Sequence, residues 1–82
     1  MDSVKMLEFE EKFARLSNQA LTQFAKPYIC MILYKGDNRE REEEAGAVLD
    51  LIHTECVKRG IEKLYDMTYE AISKNPDICS AA

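Results

Sequence analysis

The sequence predicts an all-α fold, a small bundle of three to four helices. Apolar residues recur at steps of three and four over long stretches, which is the spacing of one helix face. One short segment has strand propensity, and no second segment could pair with it. Prolines and glycines separate most of the stretches. The predicted helices cover about residues 3–25, 27–35, 38–59 and 61–74.

The first predicted helix carries a long apolar stripe. Asp2 or Ser3 can cap its N-terminus. Pro27 disfavours an α conformation at Lys26 and has no amide hydrogen, so we expect the helix to end or kink there. The residues of the stripe are Met6, Phe9, Phe13, Leu16, Ala20 and Phe24.

Residues 28–34, YICMILY, form the longest uncharged apolar run. A run this short cannot be assigned to helix or strand by its periodicity. A lone strand would leave its backbone hydrogen-bonding groups unpaired. We therefore expect a helix with Pro27 in its first turn and Gly36 just past its end.

The last two predicted helices form a helical hairpin around Gly60. Asp37 followed by Glu40 resembles a capping box at the start of the third helix. Lys58 and Arg59, followed by Gly60, are typical of a helix terminus. The chain therefore reverses direction near Gly60.

The stretch from Ala45 to Pro76 resembles the second half of one tetratricopeptide repeat. Ala71, Ile72 and Pro76 match the pattern of that repeat, whereas the pattern of its first helix is absent. An array of such repeats needs about three copies to bury a continuous core, more than this chain can supply. The resemblance implies a helical hairpin and not membership of the family.

Length and composition limit the class of protein. A chain of 82 residues with 46% apolar and 32% charged residues is typical of one folded domain. We expect residues 1–76 to form that domain and residues 77–82 to be a flexible tail. The net charge of -4 argues against a general nucleic-acid binder. The apolar run is far shorter than the roughly 20 residues that span a bilayer, so no membrane partner is expected.

The cysteines indicate a cellular compartment. Cys30, Cys56 and Cys79 are odd in number and widely spaced, so they form no paired framework. No apolar leader opens the sequence. We expect three free thiols in a cytoplasmic protein.

His53 is the only histidine, so a metal or thiol mechanism would involve it. Cys56 lies one turn later, and with Cys30 and Cys79 this pair could form a Cys3His zinc site. Asp50 with His53 also resembles half of a di-iron site, and a Cys56–His53 pair could act as nucleophile and base. The wide cysteine spacing and the apolar position of Cys56 favour a core role. We expect no cofactor, no metal site and no enzymatic activity.

Two charged segments leave another class of function open. The run DNREREEEAG, residues 37–46, is best explained as a solvated helix start whose acids complement the helix dipole, although it could bind a basic partner. Lys58, Arg59 and Lys63 flank Gly60, where a helix-turn-helix could place them near phosphate. Acidic residues are interleaved with them. A nucleic-acid-associated regulator is therefore the alternative interpretation.

The apolar run suggests how the protein acts. Two helical turns point side chains in every direction, so one neighbouring helix cannot cover them all. A chain of this size has a marginal core, so a second subunit or another protein should cover the remainder. We predict a non-enzymatic interaction module (an adaptor, inhibitor or small chaperone) that forms a homodimer. The predicted interface residues are Tyr28, Ile29, Met31, Ile32, Leu33 and Tyr69.

Overall fold

The computed structural model describes residues 3–34 and 38–80, with the Ser80 side chain left out, and places them in a bundle of helices. No strand occurs among these residues, and the predicted all-α fold is confirmed. No helix within them is long and apolar enough to cross a bilayer. The helices are α1 Ser3–Arg15, α2 Asn18–Tyr34, α3 Arg39–Lys58, α4 Glu62–Lys74 and α5 Asp77–Ser80.

The core of the bundle lies along α2, which packs against both α3 and α4, while α1 packs against α3. One side of α2 buries residues that recur about every fourth position, as expected for a helix face. Buried residues of α3 belong to the same core cluster. The largest fully buried side chains are Phe13, Leu21, Ile29, Ile52, Ile72, Val48 and Cys56.

The predicted first helix, 3–25, is wrong in its extent, because the chain breaks after Arg15. Ser17 starts a new helix: the Ala20 amide donates to its Oγ at 3.1 Å, and the Leu21 amide donates to its carbonyl at 2.9 Å. Serine is a favoured N-cap because its hydroxyl accepts from an otherwise unpaired amide. The apolar stripe continues across the break, which is why the periodicity concealed it.

The predicted helix start at Pro27 is also wrong, since Pro27 lies inside α2. An internal proline removes one helical hydrogen bond and costs about 3 kcal/mol. The stripe Leu21, Ala25 and Ile29 passes it without interruption, and all three are at most 1% exposed. Burial on both sides of Pro27 offsets the local cost and keeps the helix continuous.

The start of α3 and the hairpin follow helix-capping rules. Asn38 is the N-cap of α3, and its side chain accepts from the amides of Glu40 and Arg41 at 3.0 and 3.3 Å. The predicted cap Asp37 lies outside the described residues, as does Gly36.

The hairpin around Gly60 is confirmed: Gly60 has a φ of 73°, and α3 packs against α4 beyond it. Glycine is the residue that adopts this left-handed conformation without a Cβ clash.

The expectation of three free thiols is wrong, because Cys30 of α2 and Cys79 of α5 form a disulfide. The prediction failed because two cysteines separated by 49 residues give no local pairing signal. Cys56 remains a free, buried thiol.

The expectation of a flexible tail over residues 77–82 is wrong for residues 77–80, which form α5. Residues 81–82 lie outside the described part of the chain.

Candidate functional site

An apolar groove of about 690 Å³ runs along the side of α2 that does not face α3 and α4. Its lining residues recur at steps of three and four, so they form one helix face extended by the residue that precedes α2. None of the described lining residues carries a charge. They are Leu16, Ala20, Gln23, Phe24, Pro27, Tyr28 and Met31.

The groove exists because α2 is apolar on two faces. Leu21, Ala25 and Ile29 are buried in the core, whereas Ala20 and Met31 lie only half-buried on the groove side. Lys26 is the single charged residue in the 17-residue sequence of α2. A surface helix usually has one apolar stripe and an opposite polar face. The second apolar face of α2 therefore needs a structural or functional explanation.

A row of aromatic rings forms the wall between α1 and the groove. Ring centroids lie 5.6 Å apart for Phe9 and Phe13, 5.3 Å for Phe13 and Phe24, and 5.7 Å for Phe24 and Tyr28. These spacings are in the range where aromatic pairs attract each other. The Phe13–Phe24 contact joins α1 to α2 along this side of the groove.

Lys12 supplies a positive charge at the rim. Its Nζ lies 4.6 Å from the centroid of the Phe24 ring, a cation–π distance. The long alkyl stem of a lysine can lie along apolar surface while the ammonium group stays in water. The groove therefore combines an apolar floor with a cationic edge.

Pro27 gives the groove a polar feature at its centre. Since Pro27 has no amide hydrogen, it cannot donate to the carbonyl of Gln23 one turn earlier. The Gln23 side chain also lines the groove and carries both a donor and an acceptor. A partner side chain entering here meets hydrogen-bonding groups in an otherwise apolar surface.

The predicted interface residues lie on different parts of the bundle. Tyr28 and Met31 line the groove, but Ile29 is fully buried in the core. Ile32 and Leu33 are half-buried and pack against the core, and their place in an interface stays a prediction. The sixth residue, Tyr69, lies on α4 beside Tyr65, with ring centroids 6.5 Å apart.

Sequence reasoning missed the groove residues that precede Tyr28. The periodicity predicts that Leu16, Ala20 and Phe24 belong to the apolar stripe of a single first helix. Their spacing was the signal, but periodicity alone does not say whether an apolar face is covered by the same chain. In the structure all three residues line the groove on either side of Ser17.

The residues considered for a metal or thiol site have other contacts in the described part of the chain. His53 Nε2 lies 3.5 Å from Glu62 Oε1, and its ring packs on Tyr65. Cys56 is fully buried, and burial raises the pKa of its thiol, which disfavours the reactive thiolate. Cys30 and Cys79 are bonded to each other. In the described residues no group of three His, Cys, Asp or Glu side chains could hold a metal ion.

Arg59, one of the three basic residues near Gly60, makes structural contacts. Arg59 Nε donates to Glu55 Oε2 at 2.8 Å, and its two terminal nitrogens donate to Asn18 Oδ1 at 3.1 Å and to the Phe13 carbonyl at 2.8 Å. Arg59 therefore links the end of α3 to the junction of α1 and α2. Lys58 and Lys63 are the other two members of the basic cluster that was considered for contact with phosphate.

Compared with known proteins, the chain matches no family model, no curated protein and no solved structure.

Proposed function

We propose that this protein is a non-enzymatic interaction module that binds an apolar helix of another protein chain in the groove of α2. The observation that carries the proposal is the second apolar face of α2, which α1 borders at Phe24 and on which Ala20, Pro27 and Met31 remain at least partly exposed. Adaptors, inhibitors and small chaperones act in this way, by covering a surface of their partner.

The dimensions of the groove suit a helix. From Ala20 to Met31 the groove follows three turns of α2, about 16 Å at 1.5 Å per residue. An amphipathic helix presents anchors at steps of three, four and seven residues, and a groove of this length takes about three of them. Burying three large apolar side chains contributes about 5 to 8 kcal/mol before the costs of association.

Self-association is the form of this interaction that we propose first. A small domain gains stability when a partner covers apolar surface that its own core leaves exposed. Homodimers with two-fold symmetry are the commonest soluble oligomers. The proposed partner is therefore a protein, in the first place a second copy of the chain.

The disulfide changes the proposed compartment. The cytoplasmic expectation depended on three free thiols, and the Cys30–Cys79 pairing removes that reason. Disulfides persist in oxidising environments such as the secretory pathway and the extracellular space. We therefore propose that the protein acts in an oxidising compartment.

Methyl NMR of methionine-labelled protein tests the proposed function with an internal control. Met31 lies in the groove, whereas Met67 is 60% exposed on α4. We expect the Met31 methyl resonance to shift in a dilution series or on addition of a synthetic amphipathic helical peptide, while Met67 stays in place. An unchanged Met31 resonance under both conditions contradicts the proposal.

A further inference from the structure

We infer that the occupant of the groove is α1 of a second copy, which inserts its exposed apolar face. This inference rests on the proposed function and adds the element that enters the groove. Every copy carries one groove and one α1 face, so a two-fold arrangement fills both grooves at once and closes at two copies.

The exposed face of α1 supplies two apolar anchors. Val4 is 67% exposed and Leu7 is 58% exposed. They lie one turn apart and therefore project from the same side of the helix, away from the buried Phe13. With 13 residues, α1 is about 20 Å long, enough to span the groove of the facing copy.

The two surfaces offer one pair of opposite charges, Glu11 on α1 and Lys12 at the rim of the groove, where Glu8 lies nearby. Glu11 follows Leu7 by one turn on the exposed side of α1. Lys12 lies at the rim of the groove, and none of the described lining residues is acidic. Opposite charges at the edge of an apolar contact fix the orientation of the partner and disfavour wrong partners.

Sedimentation velocity of the oxidised full chain at micromolar concentration tests the inference. We expect the parent to be a dimer and the Leu7→Glu and Met31→Glu variants to be monomers. Met67→Glu is the matched control, since Met67 and Leu7 are almost equally exposed and Met67 lies outside both surfaces. Circular dichroism checks that each variant remains helical, and Leu7 is exposed enough that its replacement leaves the fold intact.

A charge exchange provides the second measurement. In the proposed dimer, Lys12→Glu or Glu11→Lys alone places like charges together twice, and we expect each to weaken dimerisation about tenfold. In a heterodimer of the two variants, the introduced glutamate meets the introduced lysine at one site, and the original Lys12 and Glu11 meet at the other. We therefore expect an equimolar mixture of the two variants to recover the parental affinity.

The outcomes separate this inference from the proposed function. A monomeric parent, a dimer that survives Leu7→Glu, or a mixture that fails to recover overturns α1 as the occupant. If Met31→Glu abolishes association while Leu7→Glu does not, or if the Met31 methyl responds to the peptide but not to dilution, the groove function stands without α1. Dissociation by Met67→Glu also overturns the inference, because it places the interface on α4.

Discussion

At the scale of single residues, Arg59 shows how much of this fold depends on contacts that no local pattern encodes. Its guanidinium donates to Glu55, Asn18 and the Phe13 carbonyl, and so links three helices at one point. The sequence suggested only a basic residue at a helix end. Its second role requires knowing that α1 stops at Arg15, which is a tertiary fact. The same limit applies to the Cys30–Cys79 pairing, which depends on where α5 packs.

Tyr65 carries the clearest electrostatic signature and gives a pH prediction. Burial, followed by the nearby Tyr69 and Asp50, raises the pKa of Tyr65 to about 12 from its ordinary value of 10. Below pH 10 both the folded and the unfolded chain keep this proton. Between pH 10 and 12 the unfolded chain releases it first, so the free energy of unfolding falls as the pH rises.

We expect Tyr65→Phe to reduce this fall in the free energy of unfolding at alkaline pH. Urea unfolding at about pH 9 and about pH 11.5 measures it, because the difference between parent and variant isolates Tyr65 from the titrating lysines. The variant should lose less of its unfolding free energy between the two pH values than the parent does. Identical losses in both proteins would show that the Tyr65 hydroxyl titrates alike in the folded and unfolded chains.

At the scale of helices, the sequence predicted the helix boundaries that are marked by strong local signals. It placed the other helix boundaries wrongly. Gly60 marks the hairpin because its φ of 73° requires glycine. Ser17 starts α2 through one side-chain hydrogen bond, a signal too common in sequences to override a continuous apolar stripe. Pro27 predicts a helix boundary where none occurs. Burial of the residues on both sides of Pro27 outweighs the free-energy cost of a proline inside a helix. The run of residues 28–34, which is apolar on every side, predicted part of the groove. The position of the groove depends on the helix break at Ser17 and on the continuation of α2 through Pro27.

The two described glycines make a matched pair of opposite predictions. An added Cβ at Gly46, inside α3, meets nothing within 4 Å, so Gly46→Ala should stabilise the protein by about 1 kcal/mol through helix propensity. At Gly60 space is equally open, but the positive φ is strained for alanine, so Gly60→Ala should destabilise by about 1 to 2 kcal/mol. Urea unfolding at neutral pH measures both. A stabilising Gly60→Ala would contradict the left-handed conformation, and a destabilising Gly46→Ala would indicate a close neighbour of α3.

At the scale of the whole molecule, the chain is a small bundle with one core. That core is marginal for 82 residues, because a domain of this size buries only about 60 to 65% of the surface of its unfolded chain. Two features compensate for this: the disulfide ties α5 to α2, and the proposed dimer covers the groove. They use different residues of α2, since Cys30 is not among the residues that line the groove. Reduction therefore removes the disulfide without altering the residues that line the groove.

Reduction of the disulfide gives the prediction that belongs to the whole fold. Cys30 and Cys79 are separated by 49 residues, and closing a loop of that length restricts the unfolded chain by about 4 kcal/mol in the chain-entropy model. We expect a reductant to lower the melting temperature by more than about 10 °C, since about 1 kcal/mol shifts a domain of this size by roughly 4 to 8 °C. The Cys30→Ala/Cys79→Ala double variant is the control: it should melt near the reduced parent and be insensitive to reductant, because Cys56 then has no cysteine of its own chain to pair with. A reduced parent that melts with the oxidised one would mean that the Cys30–Cys79 bond contributes nothing to the stability of the bundle.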